Sequence, residues 1–160
     1  MALEVAPLDC GDAYQAAMVR RNALWRALPH LRDRHTVEED EAYWRTHLLA
    51  ECVVLGAFLD GRLAGVIAYG NGWIEQLYVL PDVQGAGIGT RLLSLAMNDM
   101  DDIRVWTFQQ NRRARAFYKS RGFSPVEETD GSGNEENEPD VLYHWRRLPE
   151  PVYSADACRR

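Results

Sequence analysis

The chain has 160 residues, enough for one domain with a sizeable core. Apolar residues make up 46% and charged residues 26%, the ordinary balance of a soluble globular protein. The net charge of −6 argues against a nucleic-acid partner held through its phosphates. It is compatible with a cationic or amine substrate, and equally with a solvated acidic surface.

Cys10, Cys52 and Cys158 are odd in number and unrelated in spacing, which reads as free thiols in a reducing compartment. No apolar run reaches the roughly 18–20 residues that span a bilayer. The start, Met1-Ala2-Leu3-Glu4, lacks a signal-peptide pattern, and Leu8-Asp9-Cys10 is a poor lipoprotein cleavage site. The expectation is a cytoplasmic protein with no membrane partner. No His, Cys or carboxylate spacing suggests a metal.

In chain order, Leu3 to Leu8 reads as a short edge strand that tolerates Pro7. Asp12 to Leu28 is helical by period, with Ala13, Ala16, Ala17, Arg20 and Leu24 on one face. Thr36-Val37-Glu38-Glu39 reads as a capping box opening a second helix, whose inner face would carry Tyr43, Trp44, His47 and Leu48. Strands Val53–Leu59, Arg62–Tyr69 and Trp73–Leu80 follow, joined by Asp60-Gly61 and Asn71-Gly72. Both dipeptides suit type I′ turns, so the three strands form an antiparallel meander.

The third strand runs into a loop with glycines at 85, 87 and 89, and a helix, Gly89 to Met100, carries Leu92, Leu93, Ala96 and Met100 on one face. Strand, glycine loop and helix N-terminus together aim unpaired N–H groups at one point, which suits a phosphate. Thr90 stands where a dinucleotide fingerprint needs its third glycine, and no Gly-Lys-Ser/Thr follows for a nucleoside triphosphate. A strand is expected from Ile103 to Phe108. A helix follows with Asn111 as N-cap, with Ala114, Phe117 and Tyr118 on one face and Gly122 as its stop. Glu127 to Pro139 is acidic and aperiodic and reads as a loop, Val141 to Arg146 as a last strand. One domain is expected over residues 1–148, with a polar tail over 149–160.

Gln84-x-x-Gly87-x-Gly89 resembles the pyrophosphate loop of the GNAT superfamily, acetyltransferases that take an acyl group from coenzyme A. Asn111-x-x-Ala114-x-x-Phe117-Tyr118-x-x-x-Gly122-Phe123 resembles the second motif of that superfamily, and the order β-α-α-β-β-β-α-β-α-β-β matches. The resemblance covers about Val53 to Trp145. It implies an α/β (α+β) GNAT fold, a mixed and mostly antiparallel sheet of about seven strands flanked by about four helices.

The same resemblance implies acetyl-CoA as cosubstrate. Leu77, Tyr78 and Val79 would lie along the pantetheine arm, in a gap between the fourth and fifth strands, as an added strand would. The N–H groups of Gln84, Gly85, Ala86, Gly87, Ile88, Gly89 and Thr90 would hold the pyrophosphate. Asn111 and Tyr118 would touch the arm, and Arg91, Arg112, Arg113 and Arg115 are candidates to screen the 3′-phosphate. Tyr118 would protonate the departing thiolate, and a backbone N–H near Val79 would serve the oxyanion.

Glu75, placed by period two on the face of Trp73, Leu77 and Val79, is the candidate base, its pKa raised by an apolar wall. His47 and His144 are alternatives. The implied reaction is acetyl transfer to a primary amine of a small molecule or peptide. The rivals are a non-catalytic acyl-CoA-binding or regulatory module, an alcohol acceptor, or a longer acyl donor. A homodimer is compatible with the resemblance. The acidic residues from Glu127 to Asp140 are expected at the mouth of the acceptor site.

Overall fold

The computed structural model describes residues 2–32 and 34–151; Cys158 and the expected tail beyond residue 151 lie outside them. Seven strands form one sheet in the order β1-β2-β3-β4-β5-β7-β6. They are β1 (Leu3–Pro7), β2 (Val53–Leu59), β3 (Arg62–Gly70), β4 (Trp73–Val79), β5 (Asp102–Phe108), β6 (Ser124–Thr129) and β7 (Asp140–Arg146). Every neighbouring pair is antiparallel except β4 and β5. The two hairpin turns have positive φ at both residues, Asp60 and Gly61, Asn71 and Gly72, as type I′ geometry requires.

Four helices cover the sheet. On one face lie α1 (Ala13–Ala27) and α2 (Val37–Tyr43), the latter continuing through a π-helical stretch, Trp44–Leu48, and a last α turn, Leu49–Glu51. On the other lie α3 (Ile88–Asp99) and α4 (Arg112–Ser120). One cluster packs Ala13, Ala16, Ala17, Trp44 and Leu48 onto Val54, Val66 and Ala68. The second packs Ile88, Leu92, Leu93, Ala96 and Tyr118 onto Ile67, Ile74, Ile103 and Val105. Among the described residues, no helix is long and apolar enough to cross a membrane.

Several expectations are corrected. On α2 the buried residues are Asp40, Trp44 and Leu48, whereas Tyr43 and His47 stack on each other at 5.0 Å on the outer side. Thr36 caps the helix by accepting from the Glu39 N–H, but the Glu39 carboxylate bonds His35 Nδ1 instead of reaching back. Half of the capping box is therefore built. The segment read as a loop from Glu127 begins three residues later, because Glu127–Thr129 pair with β7 as the end of β6.

The most consequential correction concerns β4. Ala68 pairs with Gln76 while the next residue of β3, Tyr69, pairs with Ile74, so Glu75 is an extra residue, a β-bulge. The bulge breaks the period of two. Ile74 joins Leu77 and Val79 on the α3–α4 side despite their odd spacing, while the Glu75 charge is felt by Tyr43 and Cys52 at the two ends of the α2 segment's C-terminal half.

Candidate active site

β4 and β5 are hydrogen-bonded neighbours with a single register pair, Trp73–Arg104, after which the strands part. Leu80 N–H still bonds the Ala64 carbonyl of β3, so by strand alternation Leu77 and Val79 direct their backbone groups into the opening. The Val79 carbonyl is met there by the Gln84 amide, which donates to it at 3.0 Å. Gln84 is thus a strut between the glycine loop and the strand end rather than a surface side chain.

Gly85 and Gly87 both take φ of +86°, a left-handed conformation costly for residues with a Cβ. Gly87 is the N-cap of α3, and the first intrahelical bond runs from Arg91 N–H to its carbonyl at 3.0 Å. The N–H groups of Ile88, Gly89 and Thr90 therefore have no intrahelical partner and point outward at the positive end of the helix dipole.

This loop forms the floor of a cavity of about 650 Å³. Every residue expected at the cofactor lines it except Ala86, which is exposed beside it. Of the candidate arginines, Arg112 and Arg113 line it. Arg91 is exposed outside it, and Arg115 is engaged elsewhere, donating to the Tyr143 hydroxyl at 3.1 Å and the Gln109 carbonyl at 3.2 Å. Two further arginines line the cavity that sequence reasoning passed over, Arg26 from α1 and Arg121. Arg121 donates to the Thr90 hydroxyl and stacks over Phe117 at 4.4 Å. Arg26 carries no local signal, since only the docking of α1 on the sheet brings it there. Among the described residues, no aspartate or glutamate lines this cavity.

A second cavity, of about 630 Å³, opens on the far side of the strand gap. It is lined by Glu75, Glu127, Glu136 and Asp140 and, among the described residues, by no lysine, arginine or histidine. The two cavities share Leu77, Tyr78, Asn111, Ala114 and Tyr118 as walls. A basic chamber and an acidic one meet at the parted strands.

Tyr118 is held there by the end of α4. Asn111 caps the start of that helix, its side chain accepting from Ala114 N–H at 3.2 Å. Its end is a complete Schellman motif: Gly122, with φ of +89°, bonds the Lys119 carbonyl, and Phe123 N–H bonds that of Tyr118. The Phe123 ring meets the Tyr118 ring edge-on at 5.2 Å. Burial, with a smaller contribution from Tyr78, raises the Tyr118 phenol above its ordinary value, so it stays protonated.

Glu75 lines the second cavity but is exposed rather than walled in by apolar groups as expected. His47 sits on the outer side of α2 next to Glu51, and His144 bonds Asp102 at 2.8 Å; neither lines either cavity. The acidic loop, residues 130–139, is docked on the segment that follows α1. His30 meets Glu138 at 2.9 Å, His35 meets Glu135 at 2.8 Å, and Arg34 donates to the carbonyls of Glu135 and Glu136. Glu138 is buried, so of the loop's three glutamates only Glu136 faces the cavity.

The sequence profile of the Acetyltransferase (GNAT) family matches residues 20–123. An uncharacterized N-acetyltransferase of Archaeoglobus fulgidus is 32% identical over 98 residues, 51% of this chain and 66% of that protein. Among solved structures, the PaiA N-acetyltransferase of Thermoplasma acidophilum, in complex with coenzyme A, is 26% identical with a TM-score of 0.73, covering 91% of this chain and 99% of its own. YncA of Salmonella typhimurium, a putative acetyltransferase with acetyl-CoA, is 17% identical with a TM-score of 0.72, over 97% and 99%. Apo YjaB of Escherichia coli is 18% identical with a TM-score of 0.75, over 92% and 100%. With two motifs, the strand order and the parted strands in agreement, the chain belongs to the acetyltransferase (GNAT) family.

Proposed function

We propose that the protein transfers an acetyl group from acetyl-CoA to a primary amine by direct attack within a ternary complex. The observation that carries this reading is the opposite charge of the two cavities that meet at Tyr118. An anionic cofactor suits the chamber with Arg26, Arg112, Arg113, Arg121 and the N-terminus of α3. A cationic amine suits the chamber with Glu75, Glu127 and Glu136. The relatives seen with coenzyme A or acetyl-CoA support the cofactor half of this reading.

In this reading the pyrophosphate rests on the N–H groups of the loop from Gln84 to Thr90. The pantetheine arm lies along Leu77, Tyr78 and Val79, with Asn111 beside it. The acceptor nitrogen, once deprotonated, attacks the thioester carbon; a C–N bond forms and the Val79 N–H steadies the oxyanion. The C–S bond then breaks, and the surplus proton on the newly acylated nitrogen passes to water or to the departing sulfur. Tyr118 is a weaker acid than a free phenol, so it donates a hydrogen bond to the departing thiolate rather than surrendering its proton outright. Glu75, accessible from the acceptor chamber, takes the amine proton directly or through water.

The test is a panel of amines with acetyl-CoA, read by thiol release and by mass spectrometry of the acetylated amine. Acetylated product from at least one cationic amine is expected. Thiol release without acetylated product, or none with any amine despite acetyl-CoA binding, would favour a non-catalytic acyl-CoA-binding module.

A further inference from the structure

The acidic chamber holds a tryptophan whose ring the fold leaves bare. On β5, Ile103 and Val105 pack toward α3 and α4, so by alternation Trp106 projects from the opposite side of the sheet. There it is 40% exposed and lines the chamber. Other tryptophans of the chain are covered. Trp44 is fully buried, Arg21 and Arg32 lie over Trp25 at 4.4 and 4.9 Å, and Phe123 and Arg147 lie on Trp145 at 6.2 and 5.5 Å. Among the described residues, no aromatic ring or cationic side chain stacks on Trp106.

Carboxylates surround this ring. Leu142 of β7 is the register partner of both Trp106 on β5 and Glu127 on β6, so all three share one face of the sheet. Glu136 reaches the chamber from the acidic loop and Glu75 from the β4 bulge. The Asp140 carboxylate is already engaged by the Thr129 hydroxyl and the Asn134 amide. Glu75, Glu127 and Glu136, by contrast, form no ion pair among the described residues. The reacting nitrogen has to be neutral when it attacks, and Glu75 takes its proton in the reading above. A monoamine then has no positive charge left for Glu127, Glu136 or the ring. Their arrangement suits a charge that survives the reaction.

We propose that the acceptor carries a second cationic group, separate from the reacting amine, and that Trp106 selects it, taking the cation on its ring with Glu127 and Glu136 alongside. This rests on the acetyltransfer reading above. The negative face of an indole attracts a cation, and its apolar breadth covers the methylene groups that join the two nitrogens. A cavity of about 630 Å³ has room for such a chain. The substrate class is a diamine, or an amine that bears a guanidinium or quaternary ammonium group.

Matched acceptors test the idea: diamines from 1,3-diaminopropane to 1,6-diaminohexane against alkylamines of the same chain length, near neutral pH. The unsubstituted protein should favour at least one diamine by about tenfold or more in kcat/KM. (4-Aminobutyl)trimethylammonium, with one reactive nitrogen and a permanent charge, should be favoured over butylamine in the same way. Trp106→Leu should remove most of the preference, chiefly by raising KM for the dication, and should slow the monoamine far less. Trp106→Phe keeps an aromatic face and should retain part of it. A merely structural role would slow both acceptors alike and lower the melting temperature of both variants. Equal use of dications and monoamines, an undiminished preference in Trp106→Leu, or an equal loss for both acceptors in that variant would overturn the proposal. Turnover of no amine despite acetyl-CoA binding would instead overturn the function on which it rests, and the proposal with it.

Discussion

Tyr118 is packed by Phe117, Phe123 and Tyr143 at ring separations of 5.2, 5.2 and 6.2 Å, yet it lines both cavities. Packing fixes the ring while the hydroxyl does chemistry, and Tyr118→Phe separates the two. We expect kcat to fall on the order of tenfold or more, with acetyl-CoA affinity and melting temperature little changed. An unchanged kcat, with chemistry limiting turnover, would leave Tyr118 a packing residue. The raised phenol also sets a pH dependence. Above about pH 10 an unfolded tyrosine loses its proton while Tyr118 keeps its own, so the folded state binds more protons there and stability falls as pH rises. Tyr118→Phe should flatten that alkaline decline, as read by denaturant melts across pH. At this scale Asn111 and Gly122 were legible from their residue types. Glu75 was not, because a bulge decides where it points and the local pattern of apolar residues does not announce one.

The end of α4 sets the geometry of Tyr118, and Gly122 sets the end of α4. A Cβ at Gly122 would meet Trp145 at a comfortable 3.5 Å, so Gly122→Ala is opposed by backbone conformation rather than by a clash. The substitution should cost about 1–2 kcal/mol in a denaturation measurement and lower kcat more than it raises the KM for acetyl-CoA. The acidic loop is a second element with a testable part. Glu127 and Glu136 face the chamber, whereas Glu135 and Glu138 are held by His35 and His30. Glu127→Gln with Glu136→Gln should raise KM for a cationic acceptor severalfold and weaken its salt dependence, sparing acetyl-CoA. Glu138→Gln should act on stability instead. If KM and its salt response stay the same in the double variant, these carboxylates have no part in recognising the acceptor. The composition of this loop was readable; which carboxylates were already engaged was not, since their partners lie a hundred residues away on another element.

Across the whole molecule, the meander was legible because Asp60-Gly61 and Asn71-Gly72 permit few alternatives, and the two motifs placed α3 and α4. The contribution of α1 to the cofactor chamber, through Ala23, Arg26 and Ala27, arises only when helices dock across the sheet. So does the division into a basic and an acidic chamber: the net charge of −6 says nothing of how charge is sorted. The account as a whole stands on the glycine loop holding a pyrophosphate. A Cβ at Gly87 would meet nothing within 4 Å, so the space in front of it is free for a ligand. Gly87→Ala and Gly87→Asp share the same backbone strain, and only the second sets a negative charge where phosphate must approach. Calorimetric titration with acetyl-CoA should show binding to the unsubstituted protein, weaker binding to Gly87→Ala, and none to a still-folded Gly87→Asp. The same affinity in all three would contradict it.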